Sequence, residues 1–235
     1  MTKVGDSISA SNASWSFGGS TVLNFEDHVS KSVPFYREGQ DLICQISDFF
    51  LKNDSICYEL GTSAGTLADK LATYHEGKGT QFIGIDHVEE MISYAKNHYD
   101  RQNLEFIVDD VLTHDYQDSD LFIAYYLLQF IHPSMRQDLV NIIYNRLRWG
   151  GAFICFEKVR APDPRFQDLA SSLYTDYKLI QGYTPEEIIS KSRSLKGVLE
   201  PFSTQGNIDL FKRAGFVDIM SIQKYICFEG FLCIK

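Results

Sequence analysis

A short glycine-containing turn between an apolar strand and a helix is the strongest constraint on the fold of this chain. Residues 55–60 (S-I-C-Y-E-L) are predicted to form a buried strand, and the segment that begins at Thr66 is predicted to form a helix. The turn E-L-G-T-S-A-G occupies positions 59–65, and Asp86 ends the next apolar run. This order matches the βαβ unit that binds adenosyl cofactors, because glycines admit the ligand to the backbone and the acid accepts hydrogen bonds from the ribose.

The spacing of the turn distinguishes two kinds of cofactor. A dinucleotide fingerprint has G-x-G-x-x-G, in which the middle glycine admits a pyrophosphate. Here Ser63 takes the middle place between Gly61 and Gly65. A serine side chain crowds a pyrophosphate and suits a ligand without phosphate, such as S-adenosylmethionine. A plain tight turn, with Asp86 an unrelated acid, is the alternative that this unit alone leaves open.

Length and composition favour one α/β domain that spans residues 1–235. The hydrophobic content is 44%, which is that of an ordinary globular protein. No apolar run is long enough to cross a membrane, and the first residues lack the apolar stretch of a secretion signal. The five cysteines form no C-x-x-C pair or His-Cys cluster, so we expect no bound metal, no disulfide framework and a cytoplasmic location.

The net charge of −9 argues against direct binding of nucleic acid, because phosphate contacts require a basic surface. The most basic short stretch is K-S-R-S-L-K at 191–196. A run of this kind is typical of a solvated helix face, and we interpret it as one. A small molecule is therefore the expected substrate.

The order of predicted elements indicates a doubly wound parallel sheet. Residues 1–35 form a lead-in segment whose first 14 residues are polar and expected to be mobile, and residues 159–204 form an insertion of two helices. Five strands alternate with helices, and the strands at 216–222 and 225–234 form a C-terminal antiparallel hairpin. This outline is that of the class I methyltransferase fold. The predicted strands of the parallel sheet lie at 55–60, 81–85, 104–108, 121–124 and 152–156, and the predicted helices outside the insertion at 40–50, 66 onward, 87–99, 133–147 and 205–214.

Over nearly its whole length the chain resembles the carboxy-S-adenosylmethionine synthases, a branch of the class I methyltransferases. This family supplies a carboxymethyl donor for the modification of the wobble uridine in bacterial tRNA. The glycine turn is generic to methyltransferases, whereas several other segments are specific to the family. The matching segments are W-S-F at 15–17, S-V-P-F-Y at 32–36, L-Q-F at 128–130, P-S at 133–134, R-Q at 136–137, G-G at 150–151, E-K at 157–158, G-Y at 182–183, R-S at 193–194 and K-R-A-G-F at 212–216.

The resemblance implies binding and catalytic roles for particular positions, and it implies a homodimer. Tyr36 would lie over the donor, and Arg193 would bind the extra carboxylate of the carboxylated donor. Glu59 would hold the turn or contact the amino group of the donor through solvent. The remaining implied donor contacts are Gly61, Thr62 and Ser63 at the methionyl part, Asp86 and His87 at the ribose and adenine, and Asp110 and Val111 beside the adenine ring.

One position departs from the family pattern inside the expected reaction chamber. The family has asparagine where this chain has Tyr125, so an amide is replaced by one hydroxyl and a large ring. If Tyr36 and Tyr125 face the sulfonium, their rings favour the cation. With Arg193, these two tyrosines are the predicted catalytic residues.

Of four functions that such a site could serve, two agree with the sequence and two conflict with it. The departure at Tyr125 favours methyl transfer to a small carboxylate-bearing molecule, with Arg193 binding the acceptor. The alternative is a true carboxy-S-adenosylmethionine synthase, in which the carboxyl group comes from prephenate. A binding module without activity conflicts with the intact turn, and a tRNA methyltransferase conflicts with the acidic charge. The expected cofactor is S-adenosylmethionine or its carboxylated form.

Overall fold

The computed structural model describes residues 2–6 and 8–235, which form a sheet flanked by helices and a small N-terminal hairpin. None of the described helices has the length and apolar character needed to cross a membrane. The strands are β1 (Thr2–Gly5), β2 (Ile8–Ala10), β3 (Ile56–Leu60), β4 (Gln81–Asp86), β5 (Leu104–Val108), β6 (Ser119–Tyr125), β7 (Leu147–Lys158), β8 (Asp218–Tyr225) and β9 (Phe228–Ile234). The helices are α1 (Ser20–Ser32), α2 (Tyr36–Ser47), α3 (Thr66–Tyr74), α4 (Glu89–His98), α5 (Arg136–Arg146), α6 (Pro164–Ile180), α7 (Pro185–Ser194) and α8 (Thr204–Ala214).

The central sheet has the strand order β5-β4-β3-β6-β7-β9-β8. The first five strands are parallel, and β9 pairs antiparallel with both β7 and β8. The predicted parallel sheet with a C-terminal hairpin is therefore confirmed. The hairpin turn lies at residues 226–227, a few residues later than the predicted turn, because β8 extends to Tyr225.

The two faces of the sheet are covered by different helices, which explains the continuous apolar runs of its strands. One face packs against α5 and α8 around Leu139, Phe211 and Phe216. The other face packs against α2 and α3 around Ile43 and Leu71. With both faces covered, the carboxyl ends of the parallel strands are the open edge at which ligands of such sheets bind.

The N-terminal residues do not match the expected mobile segment. Strands β1 and β2 form an antiparallel pair, and β1 packs against α7. The side chains of Val4, Ile8 and Ala10 are buried next to Trp15, and this apolar contact fixes the hairpin. A helix, α1, follows within the predicted lead-in segment. Residues 1 and 7, which the prediction also covered, lie outside the described residues.

The predicted pair of helices between residues 159 and 204 is present as α6 and α7. Helix α7 begins with a capping box, in which Thr184 and Glu187 bond each other's backbone N–H groups. Helix α6 contributes no fully buried residue, although Tyr174 and Lys178 face the edge of the sheet and line a cavity there. These helices and α1 lie over the carboxyl ends of the parallel strands.

Gly65 gives a test of the packing beneath the glycine turn. It has a φ of +82°, and an added Cβ would lie 2.6 Å from the Phe106 ring and 2.9 Å from Ala95. Backbone strain of roughly 1–2 kcal/mol and overpacking of roughly 1–3 kcal/mol predict that Gly65→Ala lowers the free energy of unfolding by about 2–5 kcal/mol. Denaturant unfolding followed by circular dichroism measures this change.

Gly77→Ala is the matched control. Gly77 has a similar φ of +87° but no atom near the position of an added Cβ, so only the backbone strain applies. Equal losses in the two variants would contradict the packing argument.

Candidate functional site

A large cavity lies over the carboxyl ends of β3, β4, β6 and β7. Its volume is about 1290 Å³, above the range of roughly 300–1,000 Å³ that is usual for one small ligand. The cavity can therefore hold a nucleoside cofactor together with a second small molecule. Every residue predicted for the site lines it: Tyr36, Glu59, Gly61, Thr62, Ser63, Asp86, His87, Asp110, Val111, Tyr125 and Arg193.

The glycine turn is held against the end of β4. The backbone N–H groups of Gly61 and Thr62 both donate to the carbonyl of Ile85, at 2.8 and 3.0 Å. Gly61 has a φ of +69°, and a Cβ there would lie 2.8 Å from the Leu127 side chain. Only glycine fits this position without strain, and its bare backbone borders the cavity.

Asp86 is buried and fixed by the same turn. Its carboxylate accepts hydrogen bonds from the N–H groups of Ser63 and Val88, each at 2.9 Å. Only 7% of the residue is exposed, and burial raises its pKa. A solvated strand-end acid would show neither feature. The carboxylate is oriented by backbone donors and retains acceptor capacity for a ligand. The neighbouring His87 is exposed, with Nδ1 3.8 Å from Asp86.

Three carboxylates, Glu26, Glu59 and Asp86, form what we call the acidic wall of the cavity. Glu59 is buried and accepts a 2.6 Å hydrogen bond from the Thr62 hydroxyl. Burial, with Glu26 and Asp86 nearby, raises the pKa of Glu59 to about 8. Burial also raises the pKa of Glu26, which the sequence interpretation did not identify. A cationic ligand would favour the ionised form of these carboxyl groups.

Four cations, Lys158, Lys178, Lys191 and Arg193, form a basic wall on the side of β7, α6 and α7. Lys191 contradicts the expected solvated helix face. Its Nζ donates to Ser32 Oγ at 2.7 Å and lies 2.6 Å from Nε2 of His28. Burial, together with Lys178, lowers the pKa of Lys191 to about 7.

Two of the family motifs are hydrogen-bonded to each other and position Lys158. The N–H of Leu128 donates to the buried carboxyl of Glu157 at 2.8 Å. The side-chain oxygen of Gln129 accepts from the N–H of Lys158 at 3.0 Å. L-Q-F at 128–130 and E-K at 157–158 therefore act together to fix the end of β7.

Arg193 lines the cavity with an exposed side chain, and no described carboxylate lies within 4.0 Å of its guanidinium. The N-terminal segment holds its backbone instead. The N–H groups of Ala13 and Trp15 donate to the carbonyls of Arg193 and Ser194, at 2.9 and 3.1 Å. The guanidinium fork is thus presented by a fixed backbone and is free to pair with a ligand carboxylate.

The predicted tyrosines pack together at the end of β6. The Tyr125 hydroxyl donates to the backbone carbonyl of Tyr36, and the two ring centroids are 5.0 Å apart. Gly39 leaves room for this hydroxyl, because a Cβ there would lie 2.5 Å from it. Tyr125 therefore offers the cavity its ring rather than its hydroxyl.

Tyr126 was not singled out by the sequence interpretation. It adopts a φ of +64° and lines the cavity. Its hydroxyl is buried and has no hydrogen-bond partner within residues 2–6 and 8–235. No motif marks it, since a second tyrosine after a strand is unremarkable in a chain with many aromatic residues.

The raised pKa of Glu59 predicts how stability depends on pH. Between about pH 5 and about pH 8 the folded state keeps a proton that the unfolded state has lost, so the free energy of unfolding falls as the pH rises. Glu59→Gln has no proton to lose and should make this fall shallower. Denaturant unfolding of the protein, freed of nucleoside, across this range measures the slope.

Glu89→Gln, a change at the exposed start of α4, is the control for the removal of one surface charge. An unchanged slope in Glu59→Gln would show that Glu59 is ionised in the folded state.

Solved structures with similar folds include methyltransferases. Human N-acetylserotonin methyltransferase superposes with a TM-score of 0.56 and 20% identity, over 86% of this chain and 55% of that one. The S-adenosylmethionine-dependent methyltransferase SibL gives a TM-score of 0.60 and 13% identity, over 86% of this chain and 55% of that one. This chain thus spans about half the length of both proteins. The likeness confirms the class I methyltransferase fold.

Sequence relatives identify the family to which the chain belongs, whereas the solved structures identify only its fold. Residues 58–151 match the model of a methyltransferase domain. The carboxy-S-adenosyl-L-methionine synthase of Staphylococcus epidermidis is 33% identical over 222 residues, which cover 94% of this chain and 97% of the relative. The synthase of Helicobacter hepaticus is 37% identical over 221 residues and 90% of each chain. The chain therefore belongs to the carboxy-S-adenosyl-L-methionine synthase family of the class I S-adenosylmethionine-dependent transferases.

Proposed function

We propose that this enzyme is a carboxy-S-adenosylmethionine synthase, which makes the carboxylated donor of the tRNA wobble-uridine pathway from S-adenosylmethionine and prephenate. The observation that carries the proposal is the pairing of an acidic and a basic wall in one cavity. A donor with a cationic sulfur complements the first wall, and a carboxylate-bearing partner complements the second. The names of the relatives support the same function.

The residues of the acidic wall fit S-adenosylmethionine. Asp86, which the Ser63 N–H orients, would accept from ribose hydroxyls, and the bare backbone at Gly61 suits a ligand that approaches closely. Glu59 and Thr62 would hold the amino group of the methionyl part. When bound, S-adenosylmethionine supplies a carbon that is activated by the adjacent positively charged sulfur. The rings of Tyr36 and Tyr125 would stabilise that charge by roughly 0.5–2 kcal/mol.

The basic wall supplies what the carboxylate chemistry requires. Arg193 would bind a carboxylate through two parallel hydrogen bonds, which its planar fork provides and a lysine does not. The lysines lower the cost of bringing that anion into a cavity from which water is excluded. The chain needs no nucleophile of its own, because aligning the two ligands and excluding water are its main tasks.

The departure at Tyr125 carries less weight against the synthase than the sequence suggested. Its hydroxyl is engaged by the Tyr36 carbonyl, so the substitution adds a ring to the cavity wall and no new polar group within it. Methyl transfer to a small carboxylate-bearing acceptor stays the second candidate, since the same two walls would serve it.

Mass spectrometry of the nucleoside released by denaturing the purified protein tests the proposal. A nucleoside heavier than S-adenosylmethionine by one carboxyl group is expected, in an amount that increases after incubation with prephenate. Release of S-adenosylmethionine or its demethylated product alone, with no response to prephenate, would identify a methyltransferase instead. Arg193→Ala should weaken binding of the carboxylated nucleoside by about 1.5–3 kcal/mol, the value of a charged hydrogen-bonded pair.

Two further variants sharpen the test of Arg193. Arg193→Lys keeps the charge but loses the fork, so it should recover only part of the affinity. Arg146→Ala removes an exposed surface ion pair with Asp115 and should leave binding unchanged. If Arg193→Ala binds as the wild type does, the guanidinium is a surface group.

We further propose a cytoplasmic homodimer that pairs through α6. All five cysteines are free and buried, which suits a reducing compartment. One face of α6 exposes Phe166, Leu169, Leu173 and Ile180, each more than half exposed. An apolar stripe of this kind favours burial against a partner, and the family resemblance implies a dimer.

The double substitution Leu169→Glu/Leu173→Glu should convert the dimer to a monomer while the fold is retained, because neither side chain is in the core. Sedimentation velocity measures the change. Val217→Glu, at an exposed apolar residue before β8, is the control. A wild-type protein that sediments as a monomer would refute the dimer.

A further inference from the structure

Two lysines of the basic wall contact the same aromatic ring, that of Tyr174. The Nζ atoms of Lys158 and Lys178 each lie 4.5 Å from the centroid of the Tyr174 ring. The Tyr174 hydroxyl donates to the carbonyl of Ser32 at 2.8 Å, which fixes the ring. The three residues come from β7 and α6 and line the cavity. The ring partly stabilises the cations but cannot neutralise them.

The two ammonium groups lack a counter-ion within the described chain. No described carboxylate oxygen lies within 4.0 Å of either nitrogen. Burial lowers the pKa of both groups, and the proximity of Lys158 helps to lower that of Lys178 to about 8. The nearby Cys227 thiol is kept protonated by burial, which raises its pKa, and Arg160 adds positive charge beside Lys158. An anion that binds beside these desolvated ammonium groups would favour their charged form.

An unpartnered donor in the same region points to a ligand independently. Tyr126 is 7% exposed, and its hydroxyl has no hydrogen-bond partner among the described residues. The centroid of its ring lies 6.0 Å from that of Phe228, whose ring the Nζ of Lys158 also approaches at 6.0 Å, so the phenol belongs to the same part of the cavity. Burial raises its pKa, and Glu157, Cys227 and Tyr174 act in the same direction. A buried hydroxyl without a partner costs free energy, and its positive φ shows that the backbone is constrained there.

We propose that Lys158, Lys178 and Tyr126 form a carboxylate subsite for the second substrate, separate from the group that Arg193 binds. Prephenate carries two carboxylates, of which one would bind at Arg193 and the other at this subsite. This inference rests on the proposed function for the identity of its occupant. The subsite itself rests on the uncompensated cations and the unpartnered hydroxyl.

Calorimetric titrations of prephenate and of malonate into the protein saturated with S-adenosylmethionine test the subsite. Malonate serves as a small dicarboxylate whose binding does not depend on turnover. In Lys158→Gln/Lys178→Gln, the dissociation constants of both probes should rise by roughly 10–100-fold, whereas that of S-adenosylmethionine should stay within about twofold. Tyr126→Phe should weaken both probes less, by about fivefold. Lys96→Gln, on the exposed face of α4, is the matched control.

The thermal midpoint without added carboxylate separates binding from a structural role. Removal of one uncompensated charge should keep or raise the midpoint in Lys178→Gln, and a fall would indicate that the lysine stabilises the fold. Wild-type binding of both probes by the double variant, or no lysine-dependent binding of either probe to the wild type, would overturn the subsite. If malonate binds in a lysine-dependent manner but no carboxylated nucleoside forms, the synthase proposal fails and the subsite stands.

Discussion

The parallel pairing of β3 with β4 on one side and with β6 on the other is the constraint on which the site depends. The register aligns Leu60 with Ile85 and with Ala124, so the three strands end at the same edge of the sheet. Glu59, Asp86 and Tyr125 reach the cavity because of this alignment. The hydrogen bonds of the glycine turn to the Ile85 carbonyl then join the turn to the neighbouring strand. A shift in register would separate the turn from Asp86.

Charge burial distinguishes the two walls of the cavity from an ordinary surface. The acidic wall contains desolvated carboxylates whose pKa values are raised, and the basic wall contains lysines whose pKa values are lowered. Both shifts have the same physical cause, which is that low polarity disfavours the charged form. Perturbed groups of this kind cluster where ligands bind. The fold therefore holds buried groups whose charged forms are unfavourable, and ligands of opposite charge would stabilise those forms.

Local signals in the sequence were enough to predict Glu59 and Asp86 on the acidic side of the site, but not Glu26. The glycine turn and Asp86 belong to one βαβ unit, so their spacing along the chain determines their separation in space. The parallel sheet could be predicted for the same reason, since each strand and helix has its own periodicity. The basic wall could not be predicted in this way. Lys178 and Lys158 come from elements that meet only through tertiary packing, and nothing in the run at 191–196 shows that Lys191 faces inward.

The N-terminal hairpin shows why the inward orientation of Lys191 depends on the whole chain. Burial raises the pKa of Asp6, but hydrogen bonds from Lys31, Tyr183 and His28 outweigh it and lower the value to about 2. His28 is kept neutral, because burial and the nearby Lys191 lower its pKa to about 4.

A neutral His28 can donate from Nδ1 to Asp6 and accept at Nε2 from Lys191, which matches the observed distances of 2.9 and 2.6 Å. The Asp6 carboxylate thus accepts hydrogen bonds from Lys31, Tyr183 and His28. Hydrogen bonds connect it to Lys191 through the imidazole of His28. The Nζ atom of Lys191 is held in place by Ser32 and His28, and an anion in the cavity would favour its protonated form. The polar N-terminal residues therefore complete the basic wall from outside the sheet.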